Sequence, residues 1–406
     1  MQQIQNDWKK KIILFMTGQT VSLFGSSLVQ YAIMWYITMN TQSGIMMTIS
    51  IICSSLPTFF ISPFAGVWAD RFNRKLLIIA SDSFIAISTL ILAVLFLLGY
   101  DSLWLLFVVS AIRSIGTGVQ MPAVSAVLPQ IVPEDKLTKV NATNGTIQSF
   151  IMLVSPMASG ALLGLAPIQA IFFIDVVTAA VGVLIMLFLV HVPLHAKALE
   201  QHVTGYFSDL KLGLSYINHH SFIKAFFLFS AFYFFFASPV AFLTPLQVTR
   251  TFGNDVWRLT AIEIVFSVGM MLGGIILASW QGFKNRVHTM ILSSTLIGLF
   301  TFALGLTPVF WIYLVFMGIV GLAMPFFNTP FTVLMQEKVE TDYMGRVFGV
   351  LAMISSLVMP VGMLVFGPLA DVVRIEYMLV VTGILMLIEG LLMFRSKAIM
   401  DGGNSK

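Results

Sequence analysis

From Leu76 to Leu98 the chain is almost continuously apolar, with Asp82 its one ionisable residue. A strand of a membrane barrel would alternate apolar and polar residues over about ten positions. A run of this length without alternation predicts instead a helix that crosses a bilayer, for which about 20 apolar residues suffice. Runs of the same kind lie near 12–38, 45–68, 76–99, 103–130, 141–166, 168–190, 223–248, 258–280, 288–307, 309–334, 344–370 and 375–395. With so much of the 406 residues apolar, charged residues fall to 10% of the chain, against roughly a quarter in soluble domains. The expected fold class is an all-α membrane protein with twelve transmembrane helices.

Basic residues are divided unequally between the connectors. One side carries Lys9, Lys10, Lys11, Arg71, Arg74, Lys75, Lys136, Lys139, Lys197, Lys211, Lys224, Lys284, Arg286, Lys338, Arg346, Arg395, Lys397 and Lys406; the other carries only Arg250, Arg258 and Arg374. By the positive-inside rule the richer side is cytoplasmic, which requires an even number of spans and predicts a multi-pass cell-membrane protein with both termini cytoplasmic. The first run follows a lysine cluster but is too long for a signal peptide and lacks a small-residue cleavage site, so it is expected to be retained. The net charge of +4 is scattered, with no basic run longer than Lys9-Lys10-Lys11. A lipid bilayer, not a nucleic acid, is the expected partner surface. Cys53 is the single cysteine and the six histidines fall in polar connectors, so neither a disulfide framework nor a metal site is expected.

The longest connector divides the spans six and six. The expected organisation is a six-helix bundle over 1–190, a cytoplasmic linker over 191–222, and a second six-helix bundle with a short tail over 223–406. Within the linker, Phe207, Leu210 and Leu214 fall on one helical face, as an amphipathic helix at the membrane surface requires. The halves also repeat: Met121-Pro122 recurs as Met324-Pro325, and Ser155-Pro156 is mirrored by Met359-Pro360. Two pseudo-symmetric bundles related in this way place a cargo site at their interface near the bilayer midplane.

After the second run comes Gly66-Val67-Trp68-Ala69-Asp70-Arg71-Phe72-Asn73-Arg74-Lys75, which resembles the G-x-x-x-D-R-x-x-R-[KR] signature of the major facilitator superfamily. The resemblance implies the major facilitator fold and a conformational latch made by Gly66, Asp70, Arg71, Arg74 and Lys75. At the equivalent place in the second half, Gln281-Gly282-Phe283-Lys284-Asn285-Arg286 keeps the glycine and two bases but lacks the acid. Arg113-Ser114-Ile115-Gly116-Thr117-Gly118 resembles, more loosely, an R-x-x-x-G-x-G type element associated with proton coupling. Trp8-Lys9-Lys10, Gly18-Gln19-Thr20-Val21-Ser22-Leu23, Ala32-Ile33-Met34-Trp35-Tyr36, Thr260-Ala261-Ile262-Glu263-Ile264 and Gly345-Arg346-Val347-Phe348 look like the macrolide-efflux (Mef-type) branch of drug:proton antiporters. That branch implies a secondary exporter driven by the proton gradient, with a hydrophobic drug, first a macrolide, as cargo. A transporter of another drug, a siderophore or a small metabolite, working by uptake or exchange, is the alternative reading.

Asp82, Arg113, Asp175, Glu263 and Glu389 interrupt the apolar spans. Exposure of any of them to lipid would cost several kcal/mol, and a carboxyl in apolar surroundings favours its protonated form because desolvation penalises the charge. Asp175, Glu263 and Asp82 are therefore the expected proton-coupling acids, with Arg113 tuning an acid nearby. Glu389 reads as an interfacial acid beside Arg395 and Lys397. For a bulky, weakly basic, lipophilic cargo the complementary wall is aromatic with a carboxylate; Gln30, Tyr31, Trp35, Tyr233, Phe236, Phe327 and Glu263 are the candidates. The sequence has no G-x-x-x-x-G-K-[ST] stretch, so no ATP-driven pumping by this chain is expected, although an ATPase subunit from a partner chain is compatible with it. No enzyme constellation is present, no cofactor is expected, and a monomer is the expected state.

Overall fold

A computed structural model of the chain describes residues 2–133, 136–190, 192, 206–340 and 343–403. Among these residues the regular elements are helices and no strand occurs. They are α1 (Gln2–Thr41), α2 (Gly44–Arg71), α3 (Arg74–Leu97), α4 (Leu103–Ile131), α5 (Leu137–Leu165), α6 (Ile168–Leu184), α7 (Tyr206–His219) and α8 (Ser221–Phe242). There follow α9 (Thr244–Thr251), α10 (Val256–Trp280), α11 (Arg286–Leu306), α12 (Phe310–Lys338), α13 (Met344–Leu369), α14 (Ile375–Arg395) and α15 (Lys397–Gly402).

Eleven of the expected spans are helices long and apolar enough to cross a membrane. The twelfth, α13, contributes the apolar stretch Leu357–Leu369 within its longer helical backbone. Two spans are less regular than the hydropathy pattern suggests. The sixth ends in a π-helical turn at Ile185–Leu189, and the seventh breaks at Leu243 into α8 and α9, with Pro245 in the first turn of the latter. Proline suits that position because its missing N–H would be unsatisfied there anyway.

Local chemistry sets several helix ends. Asn73 caps α3, its side-chain oxygen accepting from the amides of Lys75 at 3.0 Å and Leu76 at 3.4 Å. Asn285 caps α11 in the same manner through Val287 N at 3.0 Å. The repeat between the halves is therefore visible at the start of the third span of each, where an asparagine precedes an arginine. Packing repeats as well: α3 lies against α4 and α6 in one half, and α11 against α12 and α14 in the other.

The chain divides into two compact units. One comprises Met1–Ile37 and Ile49–His202, the other Thr38–Thr48 and Val203–Lys406. In the second unit α7 packs on α8 and α13. Its anchor is Tyr216, which stacks on Tyr343 with ring centroids 4.5 Å apart, while its hydroxyl accepts from Glu340 N at 3.2 Å. The helix expected in the linker is present, yet its buried face holds Tyr216 and Ile217, and Leu214 is exposed. The side chains of Phe207 and Leu210 lie outside the described residues, as does most of 191–205.

The corner between α1 and α2 belongs to the second unit, and one acid organises it. Asp371 Oδ1 accepts from Gly44 N at 2.7 Å and from Arg250 Nη2 at 2.8 Å. Its Oδ2 accepts from Ser43 Oγ at 2.8 Å and Ile45 N at 3.0 Å. Arg250 also donates from Nε to Gln42 O at 3.0 Å and from Nη1 to Ala370 O at 2.6 Å. Asp371 thus supplies, from far along the chain, the anion that the first amides of α2 favour. Gly44 is needed for the approach, since a Cβ there would sit 2.1 Å from Gly367 O.

Burial alone would raise the Asp371 pKa, but the amides of Gly44 and Ile45, the Ser43 hydroxyl and Arg250 outweigh it and hold the carboxyl below its ordinary range. A group depressed in the folded state contributes stability above its unfolded pKa, about 3.9 for aspartate, and that contribution is lost as pH falls through the folded value. The corner should therefore hold across neutral pH and open only in acid below about pH 4. Asp371→Asn should open it at neutral pH, at a cost of about 1–3 kcal/mol. Hydrogen exchange at Gly44 and Ile45 checks this, and equal protection in both proteins at neutral pH would refute it.

Candidate functional site

Four helices of the first unit converge on a charge pair. Arg113 stands ten residues into α4 and is 8% exposed; Asp175 on α6 is fully buried. The guanidinium Nη1 forms a salt bridge with Asp175 Oδ2 and also donates to the Thr89 hydroxyl on α3. Its Nη2 donates to Ser26 O on α1 at 3.2 Å. The carboxylate is completed by Ser26 Oγ, 3.1 Å from Oδ1, and by Thr89 Oγ1, 3.0 Å from Oδ2. Gly25 allows α1 to come this close, because a Cβ there would meet Asp175 Cα at 3.1 Å and collide with the Thr178 hydroxyl. Both oxygens of Asp175 are occupied, and protonating it would strand Arg113 as a buried cation. Breaking a buried pair from one side costs about 3–5 kcal/mol.

Two helical turns along the same faces lies a second polar layer. Asp82 precedes Thr89 by seven residues on α3 and Gln120 follows Arg113 by seven on α4, so the layers are about 10 Å apart. Asp82 is 2% exposed. Its Oδ1 accepts from Ser22 Oγ on α1 at 3.0 Å and from Gln120 Nε2 at 2.6 Å. Gln120 Nε2 also approaches Gln19 Oε1 at 3.5 Å. Asp82 Oδ2 has no hydrogen-bond partner among the described residues. Both partners of Oδ1 are neutral donors, so gain or loss of a proton here breaks no ion pair. The first unit therefore separates two carboxylates by environment: one is locked to an arginine, the other keeps a vacant oxygen.

The expected proton carriers thus differ in kind. Asp175 and Arg113 are brought together as one pair, Asp82 is linked to them through α1, α3 and α4, and Glu263 lies in the second unit on α10. Glu263 is half-buried and has no hydrogen-bond or ion-pair partner among the described residues. Sequence reasoning passed over Ser22, Ser26, Thr89, Gln19 and Gln120, although the shared seven-residue spacing of polar positions on α3 and α4 was a signal for the column.

The expected cargo residues separate by accessibility. Gln30 is exposed, and Tyr31 and Phe236 are half-buried. Trp35 has no exposed surface and packs with Tyr31, their centroids 5.7 Å apart. Tyr233 and Phe327 are buried inside the second unit and stack at 3.7 Å between centroids with planes only 7° apart. Phe331 and Phe226 extend this stack, at 5.8 Å and 4.9 Å. Aromatic packing between α8 and α12 accounts for Tyr233 and Phe327, which present no free wall to a cargo in this structure.

Two bases of the signature after α2 bond within the first unit. Arg74 donates from Nε to Ala69 O at 2.8 Å and from Nη1 to Ala126 O at 2.7 Å, tying α2 to α4. Lys75 Nζ donates to Leu187 O at 3.0 Å and Val190 O at 2.9 Å, closing the last carbonyls of the sixth span. Arg71 is exposed, and open space surrounds Gly66 among the described residues. The side chain of Asp70 lies outside the described residues.

Comparison with known proteins follows the same lines. The profile of the Major Facilitator Superfamily matches residues 14–363. Macrolide efflux protein A of Streptococcus pyogenes is 30% identical over 384 residues, covering 94% of this chain and 95% of that protein. The protein of that name from Enterococcus faecalis is 31% identical over 310 residues, covering 76% and 96%. Among solved structures, a bacterial homologue of the human lysosomal transporter Spinster superposes with a TM-score of 0.73 at 14% identity, covering 98% of each chain.

If Arg113 and Asp175 are energetically one unit, Asp175→Asn should lower stability by about 3–5 kcal/mol. The double change Arg113→Met with Asp175→Asn should recover part of that loss, because no charge is then left unpaired. Thermal unfolding of the purified variants in detergent measures the difference. Additive losses in the double variant would show that the two side chains are not coupled.

Proposed function

The chain belongs to the major facilitator superfamily, and from that premise we propose that it is a secondary exporter exchanging external protons for a hydrophobic macrolide-class drug by alternating access. The cargo class is supported by one observation, the 30% identity over 94% of the chain with a protein named for macrolide efflux. Proton exchange is supported by Asp82, a carboxyl buried in the first unit with one oxygen that has no hydrogen-bond partner among the described residues. A neutral Asp82 costs little in apolar surroundings, and an ionised one is sustained by Ser22 and Gln120. Those are the two states that a carrier has to visit.

Arg113 and Asp175 then serve as a fixed dipole beside the carrier, linked to it through the same three helices. In this reading Asp82, one of the acids expected from sequence, carries the proton, and Asp175, held by Arg113, Ser26 and Thr89, anchors the pair beside it. Glu263 fits a different task. A carboxylate with remaining accessibility and no partner among the described residues suits the protonated amine of a weakly basic cargo. Within the same unit, Phe236 keeps surface for the apolar part of such a molecule.

Everted membrane vesicles from a pump-deficient host, given an imposed pH gradient and a labelled fourteen-membered macrolide, test the reading. Wild-type protein should accumulate the drug, and Asp82→Asn should reduce gradient-driven transport roughly tenfold or more, ~1.4 kcal/mol in the barrier, while downhill drug exchange persists. Wild-type transport by Asp82→Asn would refute its role as carrier, and gradient-driven uptake of a siderophore in place of the macrolide would refute the cargo.

A further inference from the structure

Glu389 lies on α14, about 9 Å of helical rise before Arg395. Its side chain is inside the second unit, 5% exposed, and neither Oε1 nor Oε2 has a hydrogen-bond partner among the described residues. Six residues of α-helix turn through about 600°, which leaves Arg395 some 240° around the axis from Glu389. Arg395 is accordingly exposed while Glu389 is buried, and the interfacial reading of Glu389 is overturned.

The elements packed against α14 are α8, α11 and α15. From α8 comes Tyr233, fully buried and within electrostatic reach of Glu389, its hydroxyl 3.7 Å from Met324 Sδ. Lys224 on the same helix is exposed and bonded to Asn218 at 2.7 Å. On α11 the charged groups sit in the first turn, where Arg286 pairs with Glu337 at 2.7 Å and His288 packs near Phe283 and Phe394. From Thr289 to Leu306 that helix carries no ionisable residue. Of its hydroxyls there, Ser293 donates to Ala323 O at 2.6 Å and Ser294 to Met386 O at 3.3 Å, whereas Thr301 Oγ1 is buried without a hydrogen-bond partner among the described residues. Lys397 and Asp401 on α15 are exposed, as is the remaining base of α14, Arg395. No described group supplies a counter-charge, and an oxygen cage for a metal ion is absent among the described residues.

An ionised carboxylate in such a position would cost several kcal/mol, and a protein relieves that cost by keeping the group neutral. We propose that Glu389 is a proton-binding site of the second unit, occupied in this conformation and emptied to water during the transport cycle. The step is a simple acid dissociation: the carboxylic acid O–H breaks, the electron pair stays on the carboxylate, and the proton passes to water. The inference rests on the proton-exchange reading above and adds to it a second acid, in the unit that lacks the Arg113 pair.

Two measurements on the full chain in lipid vesicles decide it. Infrared difference spectra taken on raising the pH should show loss of a protonated-carboxyl band that is absent in Glu389→Gln and regained in Glu389→Asp. In proteoliposomes, Glu389→Gln should lower the number of protons moved per macrolide by one, with downhill drug exchange retained. A spectrum unchanged by Glu389→Gln, or a band governed by sodium and not by pH, would overturn the assignment. So would wild-type proton flux whose ratio to drug is untouched by the variant. Absence of any proton flux in the wild type would instead refute the exchange reading, and the infrared arm alone would then decide whether Glu389 holds a proton.

Discussion

A guanidinium ten residues inside an apolar helix has to find its counter-charge within its own bundle, because the surrounding hydrocarbon supplies none. Arg113 finds Asp175, and the pairing draws in Ser26 and Thr89. Four helices are thereby held in one register along the bilayer normal. The layer built on Asp82 inherits that register, since its members lie on α1, α3 and α4 at fixed helical offsets. What distinguishes the two layers is charge: the first is closed and neutral as a pair, whereas the second holds one acid among neutral donors.

The spans were legible because an apolar run of some twenty residues has one stable outcome in a bilayer, and the two halves were legible because prolines, and the arginine that opens the third span of each, repeat. The interruptions at Asp82, Arg113 and Asp175 were equally plain. Their partnership was not, since 62 residues separate Arg113 from Asp175 and no local pattern joins them. Ser22, Ser26 and Thr89 carry no signal of their own, as serine and threonine are ordinary helix-packing residues in membranes. Aromatic residues are ambiguous for a related reason. Tyr233 and Phe327 have the chemistry of a cargo wall, and the same chemistry stacks two helices, as it does in this structure. Glu389 shows that distance along a helix is a poor guide without its rotation.

The signature after α2 illustrates how a recognised motif divides into separate local tasks. Asn73 starts a helix, Arg74 ties the end of α2 to α4, and Lys75 closes the carbonyls of the sixth span. The bonds of Arg74 and Lys75 include those to the carbonyls of Ala69, Ala126, Leu187 and Val190, which any residue at those four positions would offer. The second half keeps the asparagine cap, but its Arg286 turns to a carboxylate, Glu337. The two halves thus share a fold while spending equivalent residues differently.

The corner between α1 and α2 is held by a residue that lies 326 to 328 positions later in the chain. A ribosome delivers those amides first and their acceptor almost last. The corner amides of the first hairpin therefore wait for their carboxylate, while the body of α1 takes its register from the earlier Asp82 and Asp175 layers. The closing of the α1–α2 corner is thus a contact of very long sequence separation, made after the helices on either side of it have been synthesised.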